Sequence, residues 1–237
     1  MKFHYLVGEA EKLLAPFFSP RITTAMFNSM LILGGLCLAF WPWEGLVTYM
    51  AQHRSPALFS AIAIAALIIN SYLSLRCGRG ELVKLDGGLR REAGRPYPLR
   101  GFLLYPFLLF APVLPLFILA TAVSGVSARA CGKAWTIIFT AAVLCWLVGF
   151  LMDFGRGNIR LLGYLGARIF LLVFIFATFV TTPKISPLAL LYELNRNPHN
   201  GGFALTDSDT LYMLTVFSAI ALLVSVNWLM NRKNRRG

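Results

Sequence analysis

Acidic residues and histidines are scarce in this chain, and their scarcity limits the chemistry that it can support. The sequence holds ten Asp and Glu residues and three His residues among 237. Proton relays, haem ligation and intramembrane metal sites need such groups inside the apolar segments. His4, His53 and His199 all lie outside the long apolar runs. We therefore expect no metal, no cofactor and no catalytic residue, and we predict that the chain is not an enzyme.

Apolar side chains fill the sequence instead. Hydrophobic residues make up 57% of the chain and charged residues 14%, and the mean hydropathy is +0.67. One soluble core of ordinary size cannot bury so many apolar side chains, so the chain needs a lipid solvent. A helix that crosses a bilayer takes about 20 apolar residues. Runs of about this length occur six times, at about 25–43, 57–75, 101–126, 135–152, 161–182 and 211–230.

Two of the six runs have special features. The third run contains Pro106, Pro112 and Pro115, which predict a kink or a local unwinding, because proline cannot donate a backbone hydrogen bond. The fifth run reaches spanning length only by including Arg168. We expect the Arg168 side chain to snorkel to the interface or to face a partner.

The positive charges set the orientation of the spans. With residues 1–24 assigned to the cytoplasm, the cytoplasmic segments hold 17 of the 22 Lys and Arg residues and the opposite side holds five. This imbalance follows the positive-inside rule. If the fifth run did not span, the basic tail 231–237 would lie outside, against the rule. The sequence thus predicts an all-α integral membrane protein with six transmembrane helices and both termini cytoplasmic, in a bacterial cytoplasmic membrane.

A basic loop follows the second run. Residues 76–100 hold seven of the Lys and Arg residues, without the interleaved aromatics of a base-stacking surface. We therefore predict no binding to nucleic acid. The alternatives for this loop are contact with anionic lipids or with a protein partner. The residues that we expect to make such contacts are Arg76, Arg79, Arg90, Arg91, Arg95 and Arg100.

The segments outside the runs add three expectations. Residues 1–24 carry apolar side chains at helical spacing and predict an amphipathic helix along the interface, before a transmembrane domain at 25–230. In the outer loop, Ser186 and Pro187 predict the start of a short interfacial or re-entrant helix. The segment 206–210 supplies the cap residues Asp207 and Asp209 for the sixth span, and the alternative is a cation held by these two carboxylates and His199.

Small and polar residues inside the runs predict contacts between helices. Gly34 and Gly35 suit close helix packing, and Asn28 and Asn70 suit interhelical hydrogen bonds. The four cysteines include no Cys-x-x-Cys pair, which excludes a zinc ribbon or a dithiol redox motif. We expect free thiols, with a disulfide between Cys37 and Cys131 as the alternative, because both lie toward the outer face.

Three functions are compatible with these features. The first is a non-catalytic membrane subunit that scaffolds or regulates a larger assembly of membrane or cytoplasmic subunits. The second rests on architecture: an interfacial first helix, six spans, a charged loop after span two and a re-entrant-like element before span six resemble the ABC-2 class of exporter permeases. That resemblance implies a permease subunit that dimerises and pairs with a cytoplasmic ATPase. The third is a lipid-modifying enzyme that uses Asp153, Arg156 and Arg160 at headgroup level.

Overall fold

The computed structural model describes residues 20–41, 57–82, 101–152, 158–196 and 207–234. Within these ranges the chain is helical and contains no strand, as predicted. The helices are α1 Pro20–Ala39, α2 Ala57–Gly78, α3 Gly101–Phe110, α4 Leu114–Val123, α5 Ala128–Met152, α6 Asn158–Leu172, α7 Thr178–Thr181, α8 Pro187–Arg196 and α9 Asp207–Asn234. Residues 1–19 of the predicted interfacial helix lie outside the described residues, and so do residues 235–237 of the basic tail.

Four helices are long and apolar enough to cross a membrane: α1, α2, α5 and the Ser208–Val226 part of α9. Helices α3 and α4 form a fifth candidate, bent by 58° between Leu103–Phe110 and Leu114–Val123. Pro112 lies in the break and Pro115 in the first turn of α4. Because proline cannot donate to the preceding turn, the predicted kink has the expected cause and is confirmed.

The fifth predicted span is less regular than the others. Helix α6 continues through a π-helical turn at Val173–Ala177 into α7. Its apolar part, Leu165–Thr181, is shorter than the candidate spans. The helices themselves therefore support four spans, or five with the bent pair, and the six-span arrangement remains a prediction.

Helices α2 and α5 form the centre of the fold. Their most apolar stretches are 61% and 72% buried, against 22% for α1 and 17% for α9, which are peripheral. The two central helices approach each other closely at two glycines. A Cβ added to Gly78 would overlap the carbonyl oxygen of Trp146, and one added to Gly149 would overlap that of Leu75. This contact needs the absence of a side chain at both positions.

The glycines that were predicted to pack closely behave differently. Gly34 and Gly35 on α1 have no atom within 4 Å of an added Cβ. The prediction of close packing at these two positions is therefore wrong within one copy of the described chain. Helix α1 turns both glycines away from the other described helices.

Helix α8 begins where the sequence predicted. Ser186 is its N-cap residue and accepts a hydrogen bond from the backbone N–H of Ala189 at 3.4 Å, and Pro187 occupies the first helical position. Leu190, Leu191 and Leu194 are buried. The helix packs on both central helices, α2 and α5. It is thus part of the core and does not merely cover the surface.

Polar contacts join α5 to the peripheral helix α9. The ammonium of Lys133 forms an ion pair with the carboxylate of Asp209, whose side chain is 8% exposed. One turn further along α9, the Tyr212 hydroxyl lies 3.2 Å from the Thr140 hydroxyl and donates to the Ile137 carbonyl at 3.2 Å. The capping role that the sequence suggested for Asp209 did not predict this ion pair between two helices.

Candidate functional site at the end of helix α2

The C-terminus of α2 forms a tight turn that reverses the chain. Gly80 has a positive φ of 69°, which glycine adopts without the steric penalty of a side chain. Its N–H donates to the Cys77 carbonyl at 2.9 Å, and the Glu81 N–H donates to the Arg76 carbonyl at 3.0 Å. This pair of hydrogen bonds is a Schellman motif. The motif brings the Glu81 side chain back beside Arg76.

Three arginines surround the Glu81 carboxylate. Arg76 Nε donates to Glu81 Oε2 at 3.1 Å, and Arg79 Nε lies 3.3 Å from Oε1. The third is Arg168 of α6, whose Nη2 atom lies 3.9 Å from Oε2. We call these four residues the Glu81 cluster. Three guanidinium groups meet one carboxylate here, so the four residues together carry excess positive charge.

The members of the Glu81 cluster differ in exposure. The Arg79 side chain is 5% exposed, whereas Arg76 and Arg168 are 33% and 30% exposed. The Arg76 guanidinium also lies over the Tyr72 ring, 5.5 Å from its centroid, in a cation–π contact. Arg79 therefore anchors the turn, while Arg76 and Arg168 keep part of their surface open to lipid or to another protein.

Of the predicted contact residues, Arg76 and Arg79 come together in this cluster. Arg90, Arg91, Arg95 and Arg100 lie outside the described residues. Arg168 was expected to face a partner or to snorkel, and it faces Glu81. Glu81 itself was not predicted. The signal was present in the sequence, because a glycine just beyond a helix predicts a reversed turn and so a return contact with the last turn of the helix.

Polar side chains are also buried in the turns of α2 that precede the Glu81 cluster. Both amide atoms of Asn70 and the hydroxyl of Ser74 have no hydrogen-bond partner in the described part of the chain. The interhelical hydrogen bond expected for Asn70 is thus not formed there. Unpaired buried polar groups cost about 1–3 kcal/mol each, so Asn70 and Ser74 reduce the stability of the described fold.

Cysteine and metal chemistry contribute nothing to the described site. Cys37, Cys77, Cys131 and Cys145 are free thiols, as expected, and the Cys37–Cys131 disulfide is not formed. Among the described residues, no group of three or more His, Cys, Asp or Glu side chains is placed to hold a metal ion. His199 and Asp153, which figured in the alternatives, lie outside those residues. What the cluster can do chemically is bind an anionic group.

Comparisons with protein-family models, with curated proteins and with solved structures find no match to this chain.

Proposed function

We propose that the chain is a non-catalytic, six-span membrane subunit with both termini in the cytoplasm, which scaffolds or regulates a larger assembly in a bacterial cytoplasmic membrane. The contact between Arg168 and Glu81 carries the proposal. It brings a basic residue of the fifth run beside the start of the basic loop, and the positive-inside assignment requires both to lie on one side. The apolar helices of the described chain agree with a multi-pass protein.

The Glu81 cluster supports a binding role for this cytoplasmic side. A backbone turn and a carboxylate fix three guanidinium groups at the end of the central helix α2, and the rest of the basic loop follows in the sequence. Fixed guanidinium groups bind phosphate or carboxylate with less loss of side-chain entropy than mobile ones. Each positive residue near an anionic surface contributes about 1 kcal/mol. We therefore propose anionic lipids and acidic segments of partner subunits as the groups bound there.

The orientation can be tested with reporter fusions. A fluorescent protein joined after residue 237 should fluoresce, because the proposed topology places the C-terminus in the cytoplasm. Alkaline phosphatase joined within residues 197–206 should be active, because that loop is proposed to lie outside. A fusion after residue 237 that does not fluoresce, together with an inactive phosphatase fusion within residues 197–206, would show that the fifth run does not cross the membrane, and the proposed topology would then be rejected.

The binding role can be tested by charge reversal in the part of the basic loop that is not in the Glu81 cluster. We expect the double variant Arg90→Glu and Arg91→Glu to weaken binding of the partner subunit at least about thirtyfold, since two contacts of about 1 kcal/mol each are lost. The measurement is purification in nanodiscs from the native membrane, with quantitative mass spectrometry. The matched control reverses two charges on the proposed outer side, Arg54→Glu and Arg196→Glu.

The two double variants distinguish binding from insertion. The loop variant leaves 15 cytoplasmic Lys and Arg residues against five outside, and the control leaves 17 against three. The imbalance keeps its sign and acidic residues contribute little to orientation, so both variants should insert in the wild-type amount. Equal recovery of the partner with wild type and with the loop variant would show that this loop is not the docking surface. Equal losses with both variants would point to impaired assembly in the membrane and would also contradict the proposal.

The ABC-2-like permease subunit is a second candidate, favoured by helix α8. A ten-residue helix with buried leucines packs on α2 and α5 just before the last long helix, where the resemblance implies a re-entrant element. The same purification separates the candidates. Recovery of a nucleotide-binding subunit in equal amount would favour the permease, and recovery of other membrane proteins would favour the structural subunit. A chain recovered alone would count against both.

A further inference from the structure

The outward side of α1 carries regularly spaced residues that are exposed in the structure. The buried residues of this helix are Ile22, Ser29, Leu33 and Cys37. A second set lies on the opposite side at alternating spacings of four and three residues, and all of its members are exposed: Thr24, Asn28, Leu31, Gly35 and Leu38. Alternation of four and three is the a/d pattern of a left-handed coiled coil. We call this set the outward face.

Asn28 is out of place on a face that meets lipid. It is the ninth residue of a 20-residue helix that is long and apolar enough to span, and it lies about one turn inside the run predicted at about 25–43. The neighbouring hydroxyls of Thr24 and Ser29 donate to carbonyls of their own helix at 2.7 Å. The Asn28 amide makes no hydrogen bond in the described part of the chain. Because lipid tails cannot hydrogen-bond, an amide at this depth needs a partner from outside.

We infer that the outward face of α1 packs in parallel against the outward face of α1 in a second copy of this chain, with Asn28 paired to Asn28. Two copies obey the same positive-inside rule and insert in the same direction. Each residue on a two-fold axis then meets its own counterpart at the same depth. An amide is both donor and acceptor, so two Asn28 side chains satisfy each other.

The remaining residues of the outward face fit this arrangement. An added Cβ at Gly35 meets no atom within 4 Å, so the space above this glycine is open to a neighbouring helix, and small residues allow helix axes to approach closely in membranes. A single Asn at an a position is also the residue that fixes register and favours two strands in coiled coils. Leu31 and Leu38, at the intervening d positions, supply apolar contact. A second copy is the partner that provides a matching amide by symmetry.

Cysteine cross-linking tests the face directly. Leu31 and Ile32 are adjacent and equally exposed, at 58% and 56%, but only Leu31 lies on the outward face. In dilute lipid vesicles, Leu31→Cys should give a disulfide-linked dimer under mild oxidation, and Ile32→Cys should stay at the wild-type background. Equal cross-linking of the two variants, or none in either, would overturn the inference.

Substitution of Asn28 tests the proposed pair of Asn28 amides. Asn28→Leu replaces an exposed polar group by an apolar one, so the variant should still insert and fold. It should weaken dimerisation about threefold to tenfold, as expected for one interhelical hydrogen bond, measured by single-molecule photobleaching over a range of protein-to-lipid ratios. The matched control is Ser225→Leu on α9, an exposed position whose hydroxyl already donates to Ala221 of its own helix at 2.8 Å. Unchanged dimerisation of Asn28→Leu, or a monomeric wild type, would overturn the inference.

Discussion

The substitution Gly149→Ala is expected to destabilise the folded chain by about 3 kcal/mol, the upper end of the range for an overpacked core. The new methyl group would overlap the backbone carbonyl of Leu75, and a backbone atom cannot move aside as a flexible side chain does. Helices α2 and α5 would have to separate along the most extensive contact of the described chain. Gly78→Ala should have a similar effect, because its methyl group would overlap the Trp146 carbonyl.

The matched control for Gly149→Ala lies on the same helix. Gly132 of α5 has no atom within 4 Å of an added Cβ, so Gly132→Ala should be neutral or should stabilise by up to about 1 kcal/mol through helix propensity. The melting temperature of each purified variant is measured by heating samples and quantifying the folded fraction by size-exclusion chromatography. Equal melting temperatures for Gly149→Ala and Gly132→Ala would show that α2 and α5 do not approach as closely as we describe.

The two glycine positions show why the sequence predicts helices better than it predicts their contacts. Pro112 breaks the third run, and Ser186 with Pro187 starts α8, because these residues act on the backbone within one turn. Gly34 and Gly149 look alike in sequence, each lying in a long apolar run. Which of them meets another backbone depends on the rotation and the neighbours of its helix. That information is spread over the whole chain and is absent from the local pattern.

The contacts of the Glu81 cluster are also predictable from the sequence only where they are local. The reversal at Gly80 is a local signal, and it accounts for the contact between Glu81 and Arg76. Arg168 was expected to snorkel to the interface or to face a partner because a charge within an apolar run is costly. Its pairing with Glu81 across helices could not be predicted from spacing. The same holds for Lys133 and Asp209, since the roles that the sequence suggested for Asp209 were local capping or a cation site, not an ion pair with another helix.

Loss of the Lys133 side-chain charge is the second change with a large expected effect. Lys133→Met removes the ammonium beside the Asp209 carboxylate, which is 8% exposed, whereas the Lys133 side chain is 25% exposed. Removing one partner of a buried ion pair costs about 3–5 kcal/mol, and we expect about 3 kcal/mol here. Asp209→Leu should cost less, about 1 kcal/mol, because the long Lys133 side chain can turn its ammonium to water. The free energy of unfolding is measured by titration with dodecyl sulfate, with Trp fluorescence as the readout.

The double variant decides whether this difference comes from the ion pair. With both Lys133→Met and Asp209→Leu, no charge of the pair remains buried, so stability should return to within about 1 kcal/mol of the wild type. The double variant would then be more stable than Lys133→Met alone, a coupling that two independent positions do not show. If each single variant loses less than about 1 kcal/mol of unfolding free energy and the two losses add in the double variant, the pair is screened by water like a surface salt bridge. In that case the contact between α5 and α9 depends on Tyr212 and on the apolar side chains around it.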